Sequence, residues 1–309
     1  MPGFDVVGVG CCAWDYLAVV ETHPPIDTKC DALLVEEQGG GPTATAMVTL
    51  ARLGAKTALA GKVGDDGRGR LIISALEREG VDVRQIKVGK DESSRLSLVI
   101  VEQGTGKRTV VSMKGSAAPL KPEELDRSVI TSGRILHVDG HQMAAATVAA
   151  RWAREAGLQV VLDAGSVKAG MEELASLADY VVASEPFALD STGEDSIEQA
   201  ARRLYRDGNH SAVVVTGGER GGFLVSEQGE QAYDAFRVDS VDTTGAGDVF
   251  HGAFDYGILR GWELSEVVEF GAAVAAIKCR SLGGRAGIPS LSEVAGFLAE
   301  HRPLRGAAG

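Results

Sequence analysis

Between Asp242 and Phe254 the chain reads DTTGAGDVFHGAF, in which Gly245, Ala246 and Gly247 precede an acid, Asp248, where a helical run begins. Small residues at a helix start leave backbone N–H groups open to an anion, and the helix dipole favours negative charge there. A carboxylate in the same place would repel that anion unless it has chemistry of its own. The pattern fits a phosphoryl group held on the amides of Gly245, Ala246 and Gly247 while Asp248 takes a proton from an attacking hydroxyl. The plainer alternative makes Asp248 a helix cap.

A second cluster is HVDGH. In a strand His137, Asp139 and His141 point the same way, a spacing that suits a metal, a set of sugar hydroxyls or plain packing. Two other motifs exclude functions. GVGCCA (8–13) has the form of a dinucleotide fingerprint, but the following WDYLAVVETHPP alternates like a strand and meets two prolines, so the helix that fingerprint must open is missing. GTGKRT lacks the spacing of a Walker phosphate loop.

The elements that must position these residues alternate. FDVVGVG, AKTALAGKVG, RILHVDG, QVVLDAG, ADYVVAS and SAVVVTGG read as strands ending in small residues. TATAMVTLARLG, GRGRLIISALEREG, AAATVAARWAREAG and DSIEQAARRLYRDG read as helices with glycine stops. Alternation of this kind predicts one domain over 1–309 built on a mostly parallel sheet covered on both faces, with ligands at the carboxyl ends of the strands. Segments 12–37 and 93–113 instead alternate with period two around a turn at QGTGK, and predict a small β-sheet lid. The tail HRPLRGAAG is expected to fray.

The 309 residues carry a net charge of −12 and are 44% hydrophobic, enough for a full core and the wrong sign for a nucleic-acid surface. No segment is long and apolar enough for a membrane span, and the start lacks the pattern of a signal peptide. Four cysteines without C-x-x-C spacing suggest reduced thiols and a cytoplasmic protein.

These residues resemble a family. DTTGAGDVFHGAF is similar to the C-terminal signature of the ribokinase-like, or PfkB-type, carbohydrate kinases, and GGPTATAMVTLARLG (40–54) to their N-terminal signature. VTGGERGGFLV and GKVGDDGRG are similar to further family stretches, so the likeness covers nearly the whole chain. The resemblance implies a three-layer α/β/α sandwich with a β-sheet lid, and transfer of the γ-phosphoryl of ATP, with Mg²⁺, to a sugar hydroxyl. It makes Asp248 the base and the amides of 245–247 the anion hole. It places Thr216, Gly218, Gly221, Thr243, Ser184 and Gly284 on the nucleotide side. Asp242 and Thr244 match positions that hold a monovalent cation such as K⁺, with further carbonyl ligands from SLGGRAGIP. Asp15, Gly40, Gly41 and Thr45 fall on the sugar side, with Asp139 or His141 as further sugar contacts.

Three departures matter. Thr45 stands where the family carries a sugar-binding asparagine, and the N-x-x-E that supports magnesium reads SEPF, Ser184 to Phe187, with Glu185 as a neighbour. The strand end that would carry an arginine has His141. The departures weaken any transfer of ribose or adenosine specificity. GGGPTATA together with KCRSLGGRAGIP is similar to sulfofructose kinases and related hexose kinases, which hold an anionic substrate tail. Lys29, Arg95 and Arg108 on the lid are the candidate partners for such a tail. The apolar LSLVIV strand predicts a homodimer through the lid. A nucleoside kinase or a non-catalytic sugar sensor on the same fold remain the alternatives, although a sensor has no need of Asp248.

Overall fold

The computed structural model describes residues 3–301; the expected fraying of the tail falls on 302–309, outside them. The chain opens with β1 (Val6–Val9), and then two strands of the lid, β2 (Ala13–Val20) and β3 (Leu34–Gly40). Next come α1 (Pro42–Arg52), β4 (Thr57–Gly64), α2 (Gly67–Arg78) and β5 (Asp82–Gly89), and the other lid strands, β6 (Leu96–Glu102) and β7 (Arg108–Met113). The middle alternates: α3 (Arg127–Ile130), β8 (Ile135–Val138), α4 (Met143–Glu155), β9 (Gln159–Ala164), α5 (Met171–Ser176), β10 (Tyr180–Ser184) and α6 (Glu185–Thr192). Last come α7 (Ile197–Asp207), β11 (Ala212–Thr216), β12 (Gly222–Ser226), β13 (Gly229–Tyr233), α8 (Ala246–Arg260), α9 (Leu264–Lys278) and α10 (Leu291–His301).

The main sheet has nine strands in the order β13-β12-β11-β10-β9-β8-β1-β4-β5. All neighbours from β11 to β5 pair parallel; at one edge β12 pairs antiparallel with both β11 and β13, so it alone runs against the sheet. Its strands are apolar on both faces because both are covered. Val6, Ile135, Val161 and Val182 pack toward α1, α2 and α8–α10, while Val7, Leu136, Val160 and Val181 pack toward α3–α7. The chain order reverses direction at β1, between β4 and β8, which makes that strand end the switch point where such sheets take their ligands. The described residues contain no helix long and apolar enough to cross a membrane.

The lid is a four-stranded sheet in the order β3-β2-β6-β7. It is mixed: β2 pairs antiparallel with β3 and parallel with β6, and β6 pairs antiparallel with β7. Register places Asp15 opposite Ser97, and Ser97 opposite Ser112, so these three share the inner face with buried Leu17, Val99 and Val101. The outer face carries Val35, Leu98, Val111 and Met113, each between 44% and 65% exposed. The QGTGK turn forms with Gly104 and Gly106 in the left-handed region (φ 80° and 63°). Between β2 and β3, residues 21–33 form no strand or helix.

Candidate active site

A cavity of about 370 Å³ lies under the lid at the carboxyl ends of the parallel strands. Cys11 follows β1, His141 follows β8, Asp163 belongs to the end of β9, Ser184 ends β10 and Thr216 ends β11; all five line it. Gly245, Gly247 and Asp248, at the start of α8, complete the wall.

The turn before α8 is held from both sides. Asp242 Oδ1 accepts from Thr244 N (2.8 Å) and Thr244 Oγ1 (2.7 Å), and Oδ2 accepts from Gly283 N (2.7 Å). Gly245 caps the helix at φ 71°, and a Cβ there would lie 2.8 Å from the Cα of Gly284. Only glycine meets both conditions. Gly245, Gly247 and Asp248 line the cavity at the start of α8, whereas Ala246 lies outside the wall and its amide donates to Thr243 O at 3.2 Å, so the expected set of three free amides is not complete. Enclosure in that cavity pushes the Asp248 carboxyl up to about 7, helped by Asp163, Asp15 and Asp139 and opposed by Arg108.

On the sugar side Asp15 and Ser97 reach the wall with Arg95, Arg108 and His141. Burial raises the Asp15 carboxyl, against a hydrogen bond from Ser97 and the charge of Arg285. The three glycines at 39–41 each make room for a neighbour: a Cβ on Gly39 would meet Arg285 Nη1 at 2.2 Å, one on Gly40 would meet Asp15 Oδ2 at 2.0 Å, and one on Gly41 would meet Cys11 O at 2.7 Å. Arg108 also donates to Thr243 Oγ1, tying the lid to the turn before α8. Burial lowers the pKa of His141, and Lys168 and Arg95 lower it further, against Asp139.

Other expected contacts lie elsewhere. Lys29 is exposed in the 21–33 segment, away from the wall. Thr45 is buried and accepts from Arg285 Nε (3.3 Å). Asp139 is 2% exposed, and backbone amides occupy its carboxylate: Cys11 (2.8 Å) and Thr43 (3.2 Å) on Oδ2, His141 (2.8 Å) on Oδ1. Burial would raise its pKa, but His141 and those amides hold it below the usual carboxylate range. Asp139 therefore pins β1, α1 and β8 together instead of facing a ligand.

Toward the nucleotide end, Ser184 Oγ accepts from Phe187 N (3.2 Å) and donates to Gly165 O (3.0 Å). Thr216 Oγ1 donates to Ala183 O (3.3 Å). Gly218 and Gly221, at φ 63° and 83°, shape the turn from β11 to β12 without reaching the cavity wall; a Cβ on Gly221 would meet Tyr233 O at 1.9 Å. Glu185 pairs with Arg220, and Phe187 is buried.

Two residues that motif reading leaves without a role stand in the wall. His251, three residues after Asp248 on α8, places Nε2 3.3 Å from Asp163 Oδ1. Burial pulls His251 down to about 3, helped by His137, so its ring is neutral at pH 7. Burial pushes Asp163 up to about 7, against His137 and Lys168 and with Asp139 and Asp255. The position of Asp163 at the end of a parallel strand, and the three-residue offset of His251 on a helix, are the signals that could have found them. Behind them His137 Nδ1 meets Asp255 Oδ2 at 2.8 Å, both fully buried. His137 thus pairs with Asp255, while Asp139 is taken up by backbone amides that include His141's, and no three His, Cys, Asp or Glu side chains among the described residues form a metal cage.

Residues 4–291 match the model of the pfkB family of carbohydrate kinases. The ribokinase of Schizosaccharomyces pombe is 30% identical over 83% of this chain and 85% of its own length. An ATP-dependent ribose-1-phosphate kinase of Halopiger xanaduensis is 28% identical over 96% of this chain and 98% of its own. Among solved structures, the ribokinase of Thermotoga maritima superposes with a TM-score of 0.81 at 27% identity, over 96% of this chain and 99% of that one.

Proposed function

The chain belongs to the pfkB family of carbohydrate kinases, and on that footing we propose that it moves the γ-phosphoryl group of ATP to a hydroxyl of a sugar held under the lid. The observation that carries this reading is the meeting of Asp248, the α8 amides and Asp15 in one cavity. A sugar hydroxyl beside Asp248 gives its proton to the carboxylate as its oxygen forms the bond to the γ-phosphorus. The bond to the β-phosphate oxygen breaks, and ADP carries away that electron pair. The amides of Gly245 and Gly247 face the charge on the transferred group, where fixed donors need no reorganisation, while that of Ala246 is held by Thr243 O.

Asp15, Ser97 and Ser112 supply acceptors and donors for sugar hydroxyls. Ser184 and Thr216 stand where the nucleotide enters, with Thr243, Gly284 and the Gly218–Gly221 turn as its frame. Mg²⁺ would arrive on the ATP phosphates with waters of its own and would supply charge neutralisation there. Arg95, Arg108 and His141 in the same wall favour a sugar with an anionic substituent as a second reading.

The test is ADP release with Mg-ATP against neutral sugars, sugar phosphates, sulfonated sugars and nucleosides. One class is expected to turn over, and Asp248→Asn is expected to abolish that signal. Binding of sugar or ATP with no turnover would support a sensor instead. The outer lid face, where Val35, Leu98, Val111 and Met113 on three of the strands are exposed, supports pairing with a second copy. Light scattering is expected to give twice the chain mass; a monomer at micromolar concentration would remove the dimer.

A further inference from the structure

We propose that the ammonium of Lys278 is a built-in cation for the anion-hole turn and takes the place of a bound monovalent metal ion. The inference rests on the reading of residues 245–247 as a phosphoryl site. Lys278 ends α9 and is 0% exposed, which is rare for a lysine and costly unless its charge is used or paired. Its Nζ donates to the carbonyl oxygen of Asp242 at 2.8 Å. Val241 N and Asp242 N donate to Cys279 O at 2.8 and 3.2 Å, so the residue that caps the end of α9 is bonded directly to the segment leading into the turn. The Asp242 carboxylate then reaches forward to Thr244 and across to Gly283. The ammonium therefore sits in the joint between 242–245 and 279–284, the two segments that enclose Gly245.

A potassium ion expected at Asp242 and Thr244 does not fit this arrangement. It would sit against Asp242, whose carbonyl already accepts from the Lys278 ammonium, and so would meet a like charge at close range in a buried site. Burial lowers the lysine pKa, and Asp242, Cys279 and Asp248 oppose that fall. A fixed positive charge here keeps the Asp242 carbonyl oriented and adds to the positive end of α8. It does so without any ion to gain or lose. Lys278 is thus a positioning residue that acts through Asp242.

Melting curves of the native chain and of Lys278→Met, without sugar, in KCl and in tetramethylammonium chloride of equal ionic strength, test this. The native midpoint is expected to be the same in both salts, and the variant midpoint to be higher in KCl. With the sugar found by turnover, the native rate is expected to agree within twofold between the salts. The variant is expected to fall about tenfold in tetramethylammonium and to recover in KCl, a rescue that a merely structural lysine would not allow. Saturable K⁺ activation of the native enzyme overturns the proposal. So does a folded variant that is equally active in both salts, or that stays inactive in both. If the variant does not fold, the native salt response still decides. Absence of kinase activity would sink the functional reading and leave the melting test standing.

Discussion

Asp248→Asn is expected to lower turnover by about a thousandfold, with the KM for ATP and for sugar changed only a few-fold, because a positioned general base contributes on the order of 10²–10⁴. Asparagine keeps the shape and removes the proton acceptor. The competing role of helix cap is already occupied, since Gly245 is the cap residue and Asp248 lies three residues further in. Asparagine would also serve as well as aspartate in a cap, so a capping role forecasts almost no loss. A second readout separates damage to the fold from loss of chemistry. The Asp248 carboxyl titrates near 7 in the fold against 3.8 unfolded, so the folded chain holds its proton more tightly. The stability this supplies is complete below about pH 4 and is lost as pH rises through about 7. The asparagine variant escapes that loss. Its melting point should therefore equal or exceed that of the native chain at pH 8, while its turnover collapses. A drop in turnover below tenfold in a well-folded variant would remove Asp248 as the base.

Most of the parallel sheet and its two helical layers can be read from the sequence because six of its strands are apolar runs closed by a small residue; β5, DVRQIKVG, is missed because charged and apolar residues mix along an edge strand. The lid can be read because β2, β6 and β7 alternate. Asp248 and Gly245 are equally plain, since a left-handed glycine and an acid at a helix start have few other uses. What stays hidden depends on contacts between distant segments. Asp139 reads as a sugar ligand, yet the amides that occupy it come from Cys11 and Thr43, 128 and 96 residues away. Lys29 reads as a lid charge over the substrate, but it is exposed and does not line the cavity. Lys278 looks like an ordinary basic residue in the last turn of a helix, a common surface feature. Only the approach of the Asp242 turn shows that the side chain is enclosed. Thr45 differs from the family asparagine, and the reason is visible only with Arg285 packed against it. Arg285 itself, 4% exposed, lies 240 residues away in sequence.

Asp163 and His251 lead to the second large effect, on the pH dependence of the reaction. Asp248 and Asp163 both line the cavity and both titrate near 7, raised first by burial and then by neighbouring carboxylates. Two such groups lose their protons as a coupled pair, and the apparent values belong to the pair. The kcat/KM profile is therefore expected to be level above about pH 8 and to fall about tenfold for each unit below 7, as the base becomes protonated. His251 does not relieve the pair in this range, because it remains neutral down to about pH 3 and offers Asp163 a dipole instead of a charge. Removing the second carboxylate with Asp163→Asn takes away the leading charge that raises Asp248, so the acid limb is expected to move to lower pH. The variant should then outpace the native enzyme relative to its own plateau at pH 6, even if that plateau is lower. His251→Gln keeps a neutral donor on the same helix face and should leave the limb in place. Rates measured from pH 5 to 9 at constant ionic strength check both variants. A native profile that is level from pH 6 to 8 would mean that Asp248 titrates as an ordinary surface acid. A limb that stays at 7 in Asp163→Asn would place the cause in burial by the lid, and lid substitutions at Val110 would then be the ones to move it.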